Sequence, residues 1–218
     1  MKDTTLHISL LSSLLVILIL SAIKPHDYFT WFLEVVPAII GAVVLTATYR
    51  KFRFTNLVYT LIWIHAIILI IGGHYTYAEV PLFNWLKEAF HLSRNHYDRV
   101  GHFAQGFIPA IIARELLLRT SPLRPGKWLS VIVVCLCVSI SACYELFEWG
   151  VAEATGTAAD AFLGTQGDVW DTQWDMFCAL CGAVISLLVL GKPHDRYLEN
   201  RIHQKVGEVF SAPADQKA

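Results

Sequence analysis

The chain has 218 residues, of which 55% are apolar and only 16% are charged, and its formal net charge is −1. A soluble domain carries about 25% charged residues, so this composition excludes an ordinary soluble protein and indicates an integral membrane protein. The near-zero charge gives no bias toward nucleic acid, and five cysteines inside apolar runs argue against a disulfide framework.

Six apolar segments are long enough to cross a bilayer, which requires about 20 mostly apolar residues. In chain order they are residues 7–23, 29–48, 55–73, 98–118, 128–150 and 171–190. The first has the length of a signal peptide, but its cleavage site is poor, so we interpret it as a helix. The predicted fold is all-α, a polytopic bundle of six transmembrane helices over residues 1–191, followed by a polar cytoplasmic tail at 192–218.

The distribution of Lys and Arg predicts the orientation of this bundle, because cytoplasmic links retain these residues. With six crossings, twelve of the seventeen fall on one side and four on the other, while Arg114 lies inside the fourth segment. Both termini are therefore predicted to be cytoplasmic. On the outer side, PLFNWLKEAFHL within residues 74–97 predicts a short interfacial helix.

Polar side chains are concentrated where the fourth segment begins, in the stretch NHYDRVGHFAQGF at residues 95–107. Asp98 and His102 are four residues apart and Gln105 follows three later, so the three share one helical face. The fifth segment ends at the same predicted side with Glu145 and Glu148, which are three residues apart.

The sixth segment begins with the same kind of pattern, GDVWDTQWDMF. Asp168, Asp171 and Asp175 are separated by three and four residues, which places them along one face. Further ionisable groups near this predicted level are Glu34, His74 and His96. Five of the six predicted helices thus carry ionisable groups to one depth, near the outer interface.

Acids crowded at one depth repel one another when ionised, so some must be protonated or share a cation. The positive charge of a divalent metal ion would relieve this repulsion. The identity of the metal is left open, and mixed His and carboxylate ligands suit Zn, Mn or Fe. The candidate ligands are Asp98, His102, Glu145, Glu148, Asp171 and Asp175. Without a metal, His102 would act as a general acid or base oriented by a carboxylate, and the catalytic candidates are His102, Glu145, Asp175 and Asp98. A structural interpretation, with Asp98 and Asp171 as helix caps, is also open.

Several of these stretches resemble a known family. NHYDRVGHFAQGFIPA, YELFEW and GTQGDVWDTQWDMFCALCGA are similar to segments of the YjdF family of bacterial inner-membrane proteins, and the resemblance covers residues 5–200. It implies a multi-pass inner-membrane protein and carries no reaction. The second half is more distantly similar to VanZ-like proteins, whose pattern matches Asp98, His102, Glu145 and Asp175. Two positions depart from that pattern: Ala179 replaces an Asn, and Glu148 replaces a Gln.

Three functions stay open on the sequence. The first is a metal-assisted enzyme acting on a lipid or envelope precursor. The second is a small proton-coupled transporter whose carboxylates titrate during transport, which requires polar groups toward the inner side, where the sequence shows few. The third is a non-catalytic binding or assembly protein. The predicted partners are membrane lipid and a lipid-linked or envelope small molecule, and the oligomeric state is left open.

Overall fold

A computed structural model describes the backbone of residues 2–156 and 160–211, and the side-chain surroundings of 3–156 and 161–199. Over these ranges the chain is all-helical, as predicted, with eight α-helices, one 3₁₀ turn at Tyr77–Glu79 and no strand. The helices are α1 Lys2–Ser21, α2 Tyr28–Thr48, α3 Asn56–Tyr75, α4 Pro81–Ala89, α5 Tyr97–Thr120, α6 Lys127–Thr155, α7 Asp160–Leu163 and α8 Asp171–Ser211.

Five helices in the described part of the chain are long and apolar enough to cross a membrane, namely α1, α2, α3, α6 and α8. The 24-residue helix α5 is not among them because polar and charged side chains lower its hydropathy. The structure therefore shows a helical membrane protein with five candidate spans, while the count of six crossings and the side of the termini stay predictions.

Local side-chain contacts explain where several helices begin. The Asp27 carboxylate accepts a hydrogen bond from the Thr30 amide at 2.6 Å and caps α2. Thr55 caps α3 in the same way. Pro81 occupies the first turn of α4, where its missing amide proton costs nothing. The short helix α4 lies within the segment in which the sequence predicts an interfacial helix.

Helix α5 lies in the middle of the bundle and packs against α3, α6 and, over its whole length, α8. Its backbone and that of α8 approach closely at two glycines. A Cβ atom on Gly106 would lie 1.8 Å from the Ala179 carbonyl oxygen, and one on Gly182 would lie 2.1 Å from the Phe103 carbonyl oxygen. Because small residues allow such close approach, the polar starts of α5 and α8 are held side by side.

Helix α8 is longer than the sequence predicts. The predicted helix ends at residue 190, but α8 continues to Ser211 through the region assigned to a polar tail. Arg114 of α5 anchors this extension, with its guanidinium 2.7 Å from Asp195 Oδ1 and 2.8 Å from His194 Nδ1. Two polar residues of this extension, His194 and Asp195, thus pair with α5, which composition alone does not reveal. Residues 212–218 of the predicted tail lie outside the described residues.

A junction around the fully buried Glu115 and His194 joins α3, α5 and α8 near this extension. Glu115 accepts hydrogen bonds from the Thr55 hydroxyl at 2.7 Å, from Arg119 at 2.6 Å and from His194 Nε2 at 3.1 Å. Since Arg114 can only donate to His194 Nδ1, the proton of this imidazole lies on Nε2. The Glu115 carboxylate and both nitrogens of the His194 ring thus have hydrogen-bond partners, which makes this a structural junction.

Candidate functional site

The beginning of α5, the end of α6 and the beginning of α8 meet in one buried polar region, which we call the acidic cluster. Its members are Asp98, His102, Glu145, Glu148, Asp171 and Asp175. All six are at most 8% exposed, although five of them are acids. Buried carboxylates are costly unless they are paired, so their surroundings decide what this region can do.

His102 lies at the centre of the acidic cluster and faces a carboxylate of each of the three helices. Its Nε2 atom is 3.5 Å from Asp98 Oδ1 and 3.8 Å from Asp175 Oδ1. Its Nδ1 atom is 3.1 Å from Gln105 Oε1 and 3.7 Å from Glu145 Oε1. All four neighbours are acceptor oxygens, so either ring nitrogen can donate: Nδ1 toward Gln105 and Glu145, and Nε2 toward the two aspartates.

Two arginines that the sequence analysis used only as topology markers are part of this region. Arg94 contacts Asp171, and its guanidinium lies 3.2 Å from Asp98 Oδ2 and 3.4 Å from Asp168 Oδ2. It also donates to the Gly164 carbonyl at 3.2 Å, which ties the loop before α8 to the start of α5. Arg94 precedes α5, so helical spacing gave no signal for its pairing with Asp98.

Arg99 binds the other side of the same carboxylates. It contacts Asp175, and its Nη2 atom lies 2.6 Å from Asp171 Oδ1 and 3.1 Å from Asp168 Oδ2. Its Nη1 atom also donates to the Asp171 carbonyl at 3.2 Å. The chain itself therefore supplies two of the cations that the crowded acids require, a possibility that the sequence analysis did not consider.

The remaining acids of the sequence prediction lie at the edge of the acidic cluster. Asp168 is partly exposed, and its pKa is lowered by the Trp170 amide, which donates to Oδ1 at 2.9 Å, and by Arg99 and Arg94. Glu34 is buried on α2, and its Oε2 atom lies 3.5 Å from the Tyr144 hydroxyl. Glu34 thereby connects α2 to α6 beside His102.

Tyr77 belongs to the same edge and was not predicted. Its ring fills the space left by two glycines, because a Cβ atom on Gly72 or Gly101 would lie 2.1 or 2.8 Å from it. Burial and the nearby Glu34 carboxyl raise the pKa of Tyr77 well above its usual value, so its hydroxyl keeps its proton. The only sequence signal for this contact was that Tyr77 closely follows the adjacent glycines Gly72 and Gly73.

Two predicted histidines lie away from His102. The His74 Nδ1–H group donates to the Ser21 carbonyl at 2.8 Å and joins the ends of α1 and α3. His96 precedes α5, and its pKa is lowered by partial burial and then by Arg94 and Arg99.

The lowered pKa of His96 makes a pH dependence predictable. The folded protein binds this proton less readily than the unfolded chain, whose histidines titrate near 6.5, so protonation as the pH falls through about 6.5 favours unfolding. We expect His96→Gln to reduce the loss of thermal stability between about pH 7 and pH 5. The measurement is thermal unfolding in detergent at several pH values, with His26→Gln, an exposed loop histidine, as the control. An unchanged pH profile for His96→Gln would contradict the expectation.

Comparison with known proteins decides the family. The family described as "Predicted membrane protein (DUF2238)" matches residues 6–196, a range that contains every member of the acidic cluster. The chain belongs to the DUF2238 family. This DUF2238 protein is 50% identical over 198 residues to "Inner membrane protein YjdF" of Escherichia coli (strain K12), which covers 91% of this chain and 94% of that protein. No solved structure matches.

The family assignment confirms two of the predictions made from the sequence. The resemblance to YjdF is confirmed, and with five candidate spans the DUF2238 protein is a multi-pass protein of the bacterial inner membrane. Neither match names a reaction or a ligand, so the chemistry of the acidic cluster has to be argued from its geometry.

Proposed function

We propose that this DUF2238 protein is an inner-membrane enzyme that binds a divalent metal ion through Asp98, His102 and Asp175 and acts on a lipid or envelope precursor. One observation supports the metal site above others: a ligand atom from each of these three residues lies within 4.8 Å of the other two. Ligands of a tetrahedral zinc ion lie roughly 3.3 Å apart, given bond lengths of about 2.0–2.1 Å. The separations of 3.5 and 3.8 Å at His102 Nε2 need only a small contraction.

The surroundings of His102 suit such a role. A metal-binding imidazole usually donates its other N–H group to a carbonyl or carboxylate, which fixes its orientation. Here Gln105 and Glu145 face Nδ1 and leave Nε2 for the ion. A bound divalent ion would polarise a substrate oxygen or activate water.

Glu145 is the best placed proton acceptor in this proposal. Its Oε1 atom is buried and has no hydrogen-bond partner within the described part of the chain. Glu148 lies one helical turn further along α6 and is also buried. The two glutamates would accept and release the protons of the reaction while Asp98 and Asp175 hold the ion.

The proposal includes a sixth crossing by α5, with both termini in the cytoplasm and the acidic cluster near the periplasmic face. A helix of 24 residues is about 36 Å long, enough for a hydrocarbon core of about 30 Å. Its charged side chains are enclosed by α3, α6 and α8, which spares them contact with lipid. A fluorescent protein fused after residue 218 tests the topology, because it should fluoresce only if the terminus is cytoplasmic.

A purely structural role is the second candidate, and the arginine contacts favour it. Arg94 and Arg99 join α5 to α8 through Asp171 and Asp175, which is what a cluster that only locks helices would show. Transport has less support, because the polar junction around Glu115 at the other end of α5 is fully paired.

Elemental analysis of the detergent-solubilised protein tests the proposal. We expect about one equivalent of a divalent transition metal in the unmodified protein and at least a tenfold lower content in His102→Ala and Asp175→Asn, because removing a ligand weakens such sites by at least the 10–100-fold seen for supporting residues. His91→Ala, in an exposed loop, is the matched control. Absence of stoichiometric metal from the unmodified protein would overturn the metal site. Loss of stability in Asp175→Asn without any effect on metal content would favour the structural role.

A further inference from the structure

Helices α1, α2 and α3 enclose a cavity of about 870 Å³ that shares no residue with the acidic cluster. This volume lies within the roughly 300–1,000 Å³ typical of ligand sites. Helices α1 and α2 both pack on α3, and the cavity lies between them. Its walls are mostly apolar and include Leu11, Leu14, Ala38, Gly41, Leu45 and Trp63.

The cavity is open along one side of the bundle. Ile8 of α1 and Val44 of α2 line its rim and are 60% and 52% exposed. On α2, a Cβ atom on Gly41 would meet nothing within 4 Å, so the space beside this glycine is free. Because α1, α2 and α3 are all candidate membrane spans, an opening along their side would face the acyl chains of the bilayer.

One end of the cavity is polar and basic. Arg50 lines it and is exposed, and Lys51 and Arg53 follow directly. The Arg53 guanidinium lies 4.5 Å from the centre of the Tyr49 ring, and the Tyr49 hydroxyl is 2.7 Å from His7 Nδ1. Basic pockets between membrane helices are suited to anionic lipid headgroups.

We propose that this cavity, which forms a groove open along one side of the bundle, binds one anionic phospholipid of the bilayer. An acyl chain would lie beside Leu11 and Gly41, and the phosphate would lie at Arg50. From Pro37 to its end at Thr48, helix α2 rises about 17 Å, which is comparable with the roughly 15 Å depth of one leaflet, and Arg50 follows two residues later. The apolar walls match the acyl chain, and the basic end matches the phosphate. This inference is independent of the proposed enzyme site, because the two share no residue.

Photocrosslinking in lipid nanodiscs tests this site. The full chain is reconstituted with phosphatidylcholine and a small share of phosphatidylglycerol that carries a photoreactive acyl chain, and the labelled residues are mapped by peptide mass spectrometry. We expect labelling to concentrate on the groove-lining residues of α1, α2 and α3. Arg50→Ala should weaken it about fivefold, since one basic residue near anionic lipid contributes about 1 kcal/mol.

A variant that fills the groove tests the proposal more directly than Arg50→Ala does. Gly41→Leu places a side chain in the free space and favours the helix, so the protein should fold and lose most of the groove labelling. Gly150→Leu, at a second helical glycine with nothing within 4 Å, is the matched control and should label like the unmodified protein.

If Gly41→Leu fails to fold, the labelling of Arg50→Ala decides whether the proposal holds. Labelling spread evenly over all lipid-facing helices would overturn the proposal. Equal labelling by photoreactive phosphatidylcholine, or crosslinks to a second copy of the chain, would do the same.

Discussion

Replacing Arg99 with alanine is expected to lower the free energy of unfolding by about 3–5 kcal/mol, because it leaves the buried Asp175 without an arginine and Asp171 with Arg94 alone. The Arg99 guanidinium contacts Asp175 and lies 2.6 Å from Asp171 Oδ1. These two side chains are only 3% and 9% exposed, so water cannot compensate for the loss. Thermal and denaturant unfolding in detergent measure the effect.

A matched arginine separates this effect from the loss of any positive charge. Arg124 lies exposed in the link between α5 and α6, and Arg124→Ala should change stability by less than about 0.5 kcal/mol. The double variant Arg99→Ala with Asp175→Ala should recover part of the loss, because it removes one of the stranded charges. If Arg99→Ala alone is as stable as the unmodified protein, the arginine contacts do not hold α5 and α8 together.

The second large effect is expected at the contact between α5 and α8. Gly182→Ala should cost about 3 kcal/mol, the upper end for overpacking, because the added methyl group would lie 2.1 Å from the Phe103 carbonyl oxygen. Backbone atoms cannot rotate away as a side chain can, so the two helices must separate. Separation would also move Asp175 away from His102, and we expect the metal content to fall with the stability.

The control for this glycine lies on the same helix. Gly191 has nothing within 4 Å of its Cβ position, so Gly191→Ala should be neutral or stabilise by up to about 1 kcal/mol through helix propensity. Thermal unfolding of both variants, with helix content from circular dichroism, gives the comparison. Equal stability of the two variants would mean that the backbones of α5 and α8 are further apart than the structure shows.

The arginine contacts also divide the acidic cluster into two halves. Asp98, Asp171 and Asp175 contact the arginines, whereas among the described residues no arginine contact is seen at Glu145 or Glu148. His102 lies between these halves, with Nε2 toward the aspartates and Nδ1 toward Glu145. Glu145 and Glu148, which contact no arginine in the described part of the chain, are therefore the carboxylates that would bind a substrate cation or accept a transferred proton.

The sequence by itself determined the membrane class and the approximate position of each long helix, because these depend on local composition and periodicity. The family was indicated by the resemblance of its motifs. It also indicated which faces of α5, α6 and α8 carry polar groups, since spacings of three and four residues define a helical face. The acids Asp98, Glu145 and Asp175 could be found in this way, before any contact between helices was known.

Only the tertiary structure decided which of these groups meet. It paired Arg94 and Arg99 with the aspartates, directed His74 to Ser21 and extended α8 along α5 to meet Arg114. The arginine contacts and the Arg114 contact depend on the distance between α5 and α8, which is set by the close backbone approach at Gly106 and Gly182. The His74 contact depends on the packing of α1 against α3. Helical periodicity is a property of one segment, whereas charge pairing across helices depends on packing, and packing is what brings residues distant in the chain together.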